Sequence, residues 1–186
     1  MDFEELRRRL AAPAPRELPA GARREAAVAL ILARSQGGAD LLLVERASRA
    51  GDPWSGHMAF PGGRREPGDA DLLETARRET LEESGIDLGA VEPLGALDDL
   101  MPKNPRLPPI ALRPFVFGLP RRPRVRRNAE LSGHYWLGLD ALRGCAARGS
   151  VLVDGKARAV RCYRLGEKLV WGMTERMLRG LLGRIG

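Results

Sequence analysis

Cysteine and histidine are scarce in this chain of 186 residues, with two of each. Cys145 and Cys162 could close at most one bridge, which excludes a disulfide scaffold. Two histidines at their separations from these thiols do not build a zinc site. Aromatic residues make up only 5% of the chain, and the one dense basic run, Arg121 to Arg127, contains none of them. The net charge of +7 raises nucleic acid as a partner and equally favours a small anionic substrate; without base-stacking rings the basic run reads as a solvated, proline-interrupted loop, and nucleic acid is not the expected partner. Lysine is limited to Lys103, Lys156 and Lys168, a bias that reflects composition rather than mechanism. No apolar run approaches the roughly 20 residues needed to span a bilayer. The opening MDFEELRRRLAAP has no apolar centre of the secretory kind, so the expectation is a cytoplasmic protein with no membrane partner.

What is present is an apolar fraction of 44%, enough for one sizeable core. The expected organisation is an N-terminal helix (Asp2 to Leu10) with a Pro-rich linker over residues 1–24, then one domain over residues 25–186. Strands are expected at Glu25–Ala33, Asp40–Glu45, Val91–Leu97, Ile110–Phe117, Tyr135–Leu137 and Val151–Val153. Helices are expected near Asp140–Arg148 and from Thr174 to Leu182, where Met177, Leu178, Leu181 and Leu182 have helical spacing. The long proline-rich stretch Asp98 to Pro109 reads as a functional loop.

The chemistry concentrates in GGRREPGDADLLETARRETLEESGI, Gly62 to Ile86. Asp71 followed by Glu74 resembles a capping box, and Gly85 stands where a helix would end. Leu72, Leu73, Ala76 and Leu81 supply an apolar side. Between these caps, Glu79, Glu82 and Glu83 fall within about one helical turn. Glu79 and Glu83 form a like-charged i,i+4 pair, unfavourable by a few tenths of a kcal/mol in an isolated helix. Arg78 can pair with Glu74 and Glu82, which would make the stretch an ordinary solvated helix. A bound divalent cation would instead turn the cluster into a ligand set, and oxygen donors without Cys or His suit Mg2+ or Mn2+. The preceding turn Phe60-Pro61-Gly62-Gly63 lets the backbone approach a ligand closely.

This region resembles the Nudix box, G-x5-E-x7-R-E-U-x-E-E-x-G-U, with U a bulky aliphatic residue. Gly63, Arg78, Glu79, Glu82, Glu83, Gly85 and Ile86 carry the match, with Leu81 in part. The stretch from Gly63 to Arg78 is one residue longer than the pattern; Asp69 stands at the spacing of the early Glu from Gly63, and Ala70 at its spacing from Arg78. Thr80 replaces the aliphatic residue after Arg-Glu. The same lengthening belongs to the coenzyme A diphosphatase-like branch, to which the chain is similar over roughly residues 26–180. Its upstream signature resembles Leu42-Leu43-Val44-Glu45-Arg46-Ala47 and Gly56 through Gly63, with Asp52 where a second Arg is expected.

The resemblance implies an α/β Nudix fold, a mixed β-sheet sandwiched between α-helices. It also implies an Mg2+- or Mn2+-dependent diphosphatase acting on a nucleoside diphosphate linked to another moiety, with coenzyme A or acyl-CoA favoured. Glu79, Glu82 and Glu83 are the expected metal ligands, and Glu83 or Glu130 the base. Arg78 is expected to hold the glutamates in place, and Arg46, Arg49, Phe60, Gly62 and Gly63 to contact substrate. Glu130 has the competing role of balancing Arg126 or Arg127, and Trp171 that of a core anchor. ADP-ribose, a dinucleoside polyphosphate or an oxidised nucleotide is the alternative substrate class. A non-catalytic binding or regulatory module is the alternative of another kind, against which the intact RETLEESG core argues. A homodimer is left open.

Overall fold

The sequence REAAVALILARS forms the central strand β1 (Arg24–Ser35), with everything from Ala26 to Ala33 buried. An apolar run with no alternation is what a strand covered on both faces requires. The computed structural model describes residues 2–18, 24–51, 54–103, 109–153 and 155–186. β1 pairs antiparallel with β2 (Gly38–Arg46) and with β4 (Gly62–Arg64), and parallel with β6 (Ile110–Leu119). β2 also pairs with β3 (Met58–Ala59) and β7 (Leu131–Gly138), while β5 (Gly95–Ala96) closes the far edge on β6. The result is a seven-stranded mixed sheet.

Side chains alternate across that sheet. Val28, Leu30 and Leu32 face a core shared with α1 (Phe3–Ala11) and α4 (Gly172–Arg184), through Leu6, Leu10, Leu178 and Leu181. Ala29, Ile31 and Ala33 face the opposite way, onto Ile86, Leu88 and the partly buried Leu73 of α2 (Leu72–Ser84). Helices therefore cover both faces, as the fold expectation holds. Among the described residues no helix is long and apolar enough to cross a membrane.

Two readings are corrected. Of the expected Val91–Leu97 strand only Gly95–Ala96 forms, bracketed by Leu94 and Leu97 N–H bonds to the Val116 and Pro114 carbonyls: Val91 N–H turns back to the Leu88 carbonyl, and Pro93 has no N–H to give. The Asp140–Arg148 helix is α3 (Leu139–Gly144), and its expected end already belongs to β8 (Ala146–Val153). β8 joins β9 (Lys156–Leu165) and β10 (Lys168–Trp171) in a separate antiparallel sheet. β9, KARAVRCYRL, was not legible because its first six residues are nearly all exposed and alternate alanine with arginine.

α2 buries the expected face only in part: Ala76 is buried and Leu73 partly so, but Leu81 is not. Thr75, Ala76, Thr80 and Ser84 are buried, whereas Leu81 is 49% exposed. Small residues let the helix lie close on β1, and two of the buried hydroxyls are satisfied within it: Thr80 Oγ1 donates to the Ala76 carbonyl (2.7 Å) and Ser84 Oγ to that of Thr80 (2.6 Å), while Thr75 Oγ1 donates to Asp69 (2.9 Å).

Candidate active site

Both ends of α2 are fixed, and the two ends position different parts of the site. At the N-terminus, the Asp71 carboxylate accepts the Glu74 N–H (2.8 Å), as the capping signature implied. At the C-terminus, Gly85 adopts the left-handed conformation and its N–H returns to the Leu81 carbonyl (2.9 Å). The carbonyls of Ser84 and Glu83 accept from Arg126 N–H (2.7 Å) and Asn128 N–H (3.1 Å). Those bonds satisfy helix-end acceptors and bring the distal segment against the glutamates.

Glu130 arrives by this route. Its N–H donates to Asn128 Oδ1 (2.8 Å), and its carbonyl accepts Ala47 N–H (2.7 Å), tying it to the segment that carries Arg49. Arg49 Nη1 donates to Glu130 Oε1 at 3.1 Å, so Glu130 pairs with Arg49 rather than with Arg126 or Arg127. Two expected site residues distant in sequence are thus in contact.

The glycine turn meets the carboxylates from the other side. Gly62 N–H donates to Glu83 Oε2 at 3.0 Å. A Cβ on Gly63 would lie 2.4 Å from the Glu79 carboxylate, so the absent side chain is what lets Glu79 seat against the backbone. Gly62, with φ +149, packs on β1 so closely that a Cβ would sit 2.3 Å from the Ala27 carbonyl oxygen. Phe60 is 3% exposed and belongs to the main core.

Arg78 stands among the acids. Its Nε and Nη2 donate to the two Asp69 oxygens (2.8 and 3.0 Å), Nη2 also to the Arg64 carbonyl (3.0 Å), and Nη1 to Glu79 (3.1 Å) and Glu82 (3.4 Å). The pairing expected with Glu74 is replaced by this fork on Asp69. Asp69 also accepts the Glu66 N–H and the Thr75 hydroxyl (both 2.9 Å). The Arg78 bonds, joined by these donors, hold its carboxyl well below the usual range despite burial. Asp69 as the anchor of Arg78 is the residue whose role sequence reasoning missed; its one signal was its spacing from Gly63.

Burial pushes the Glu83 carboxyl up to about 7 against the pull of the Gly62 N–H, with the Glu79 charge adding to the rise. Burial also raises Glu79, against the opposing effect of Arg78. Glu82 is more open, its side chain 56% exposed. Among the described residues no three acidic, imidazole or thiol side chains converge as a ready ligand set, and Arg78 Nη1 lies between Glu79 and Glu82. The donor chemistry nevertheless fits a hard divalent cation: crowded oxygen donors, of which Glu83 is buried and Glu79 partly buried, both raised by that burial and by neighbouring carboxylate charge. Asp52 lies outside the described residues, as do residues 104–108 of the long loop. Trp171 meets the His57 ring edge-on, with centroids 4.8 Å apart.

The NUDIX domain family model matches residues 22–153. An uncharacterized Schizosaccharomyces pombe protein is 37% identical over 128 residues, covering 66% of this chain; the chain spans only 39% of that protein. An uncharacterized Nudix hydrolase, NudL, of Yersinia enterocolitica is 30% identical over 159 residues, covering 77% of this chain and 73% of its own. Among solved structures, a MutT/nudix family protein from Enterococcus faecalis superposes with a TM-score of 0.62 at 15% identity, over 91% of this chain and 65% of that one. A C. elegans Ap4A hydrolase gives 0.52 at 22% identity, over 64% of this chain and 84% of its own.

Proposed function

Because the chain belongs to the NUDIX domain family, we propose that it is a divalent-cation-dependent pyrophosphohydrolase acting on a nucleoside diphosphate linked to a second moiety, with coenzyme A or an acyl derivative as favoured substrate. The observation that carries this reading is the meeting of Glu79 and Glu83 with the Gly62-Gly63 turn. A cation held by Glu79, Glu82 and Glu83, Mg2+ or Mn2+, would supply charge neutralisation of the diphosphate oxygens and activation of water.

The residues of the chain do the positioning. Asp69 fixes Arg78, and Arg78 in turn holds the carboxylates of Glu79 and Glu82 in place without touching substrate. Glu83, with its carboxyl near neutrality and one oxygen fixed by Gly62 N–H, is the proton acceptor for the attacking water. Glu130 holds Arg49, leaving further guanidinium donors of Arg49 for a substrate phosphate. Arg46, on the adjoining end of β2, pulls the Glu83 carboxyl down by its charge, which puts a second cation beside the reacting group. The two-part organisation, residues 1–24 preceding a catalytic domain over residues 25–186, belongs to the same proposal, as does a cytoplasmic setting.

Coenzyme A is favoured by the segments Leu42–Ala47 and Gly56–Gly63, whose pattern resembles that branch and whose folding brings Arg46 and Arg49 toward Glu83 and Glu130. A product-resolved comparison tests it. Coenzyme A should yield 3′,5′-ADP and 4′-phosphopantetheine with kcat/KM at least about tenfold above ADP-ribose, roughly 1.4 kcal/mol in transition-state binding. Equal or faster cleavage of ADP-ribose would overturn the coenzyme A reading and leave the hydrolase reading standing.

A further inference from the structure

On α4, Arg176, Gly180 and Arg184 follow one another at i, i+4 and i+8, a single row along one helix face. The middle member has no side chain, and the row opens there into a cavity of about 250 Å³. Leu97, Leu100 and Met177 give it an apolar floor, and Arg179 and Asp98 complete its rim. None of these residues belongs to the carboxylate site on α2.

Gly180 is not there to avoid a clash. A Cβ at this position would meet only Leu97 Cδ1, at 3.9 Å, an ordinary contact. Gly62 is the contrast, since there the backbone forbids a side chain. A helix interior is weakened by glycine, so what Gly180 provides is the open space itself.

The charges around that space are unevenly matched. Arg179 is paired with Glu175 (2.9 Å), and Arg184, its side chain only 18% exposed, reaches Asp98 at 3.5 Å and the Pro13 carbonyl at 2.7 Å. Arg176 donates to the Met101 carbonyl (2.6 Å) and forms no ion pair among the described residues. Burial and the neighbouring Arg179 both work against its charge. Three guanidiniums thus border the cavity, each with five N–H donors of which few are used.

We propose that this cavity between α4 and the Leu97–Met101 segment is a binding site for a small phosphate-bearing anion, gripped by Arg176, Arg179 and Arg184 over the gap left by Gly180. A tetrahedral oxyanion accepts from several guanidinium forks at once and restores the charge balance around Arg176.

The test titrates the full-length protein with inorganic phosphate, and in a second arm with glycerol 3-phosphate, in EDTA so that the carboxylate site stays without cation. Amide and guanidinium NMR signals are read. Saturable shifts centred on Arg176, Arg179 and Gly180 are expected, with affinity at least about tenfold weaker in Arg176→Met and in Gly180→Leu, about 1.4 kcal/mol of binding. Tighter binding of the ester would point to a phosphorylated metabolite, and equal binding to the free anion; both support the site. Gly180→Ala, which only adds a methyl group, should raise Tm and keep the fold should Gly180→Leu lose it. The proposal is overturned if no saturable shift arises at these residues up to millimolar phosphate, or if folded Arg176→Met binds as well as the unmodified protein. Hydrolytic turnover should be unchanged in Arg176→Met, which separates this site from the proposed catalytic one.

Discussion

Arg78 and Asp69 form a two-point fork, Nε to Oδ1 at 2.8 Å and Nη2 to Oδ2 at 3.0 Å, with the Asp69 side chain only 4% exposed. Through it the segment before α2 governs where Arg78, and therefore Glu79, can sit. Asp69→Asn should cost about 3 kcal/mol near pH 7, the scale of removing one partner from a buried ion pair. Because the folded pKa is depressed, the stabilisation is present above the unfolded carboxyl value near 4 and fades as pH falls below it. Denaturant curves of the two proteins should therefore converge on acidification. A gap that persists undiminished toward pH 2 would contradict the ion-pair account.

Glu83 should behave in the opposite sense. Its folded pKa, about 7, lies above the unfolded value, so without divalent cation the charged form works against the fold as pH rises from about 4.5 through 7. Glu83→Gln should then be more stable than the unmodified protein at pH 8 in EDTA, by up to about 3 kcal/mol, and equal to it near pH 4. The same substitution should lower kcat at least about a hundredfold. A Tm difference independent of pH would remove the burial argument.

The two adjacent glycines should respond differently to alanine. In Gly63→Ala the new methyl meets the Glu79 carboxylate, the mobile end of a side chain, so the fold should survive while kcat falls by about a hundredfold. Gly62→Ala meets β1 backbone and adds strain at φ +149, so stability should fall by about 3 kcal/mol or more. Circular dichroism melts and turnover measured on both variants check this, and similar melts for the two would count against it.

Arg49→Ala should change stability by no more than about 1 kcal/mol, since both its side chain and that of Glu130 are near half exposed. Its effect should fall on kcat/KM, and more for coenzyme A than for ADP-ribose. A uniform loss on both substrates would detach Arg49 from recognition of the distal group.

The caps of α2, its charged row and the glycine turn were legible because each is a local signal: Asp71, Gly85 and the 79/82/83 spacing need no tertiary knowledge. The buried face was not, because Leu81 looks more like a core residue than Thr75, Thr80 or Ser84, and only close packing on β1 favours small side chains there. Residue types suggested Glu130, whereas its contact with Arg49 depends on the helix-end carbonyls that draw residues 126–130 inward. Of the β8–β9–β10 sheet only the Val151–Val153 end of β8 was legible; β9 escaped because an Ala/Arg-rich strand with little burial carries no apolar period.

The central claim is that the glutamate row of α2 performs the hydrolysis. The most direct measurement is coenzyme A turnover, followed by product, across an Mg2+ titration for the unmodified protein, Glu82→Gln and Glu74→Gln. Glu82 lies in the row, whereas Glu74 is an exposed residue of the first turn. The account predicts cation-dependent turnover, a loss of at least about a hundredfold in Glu82→Gln at every Mg2+ concentration, and near-normal rates in Glu74→Gln. Undiminished turnover by Glu82→Gln, with an unaltered circular dichroism spectrum, would contradict it.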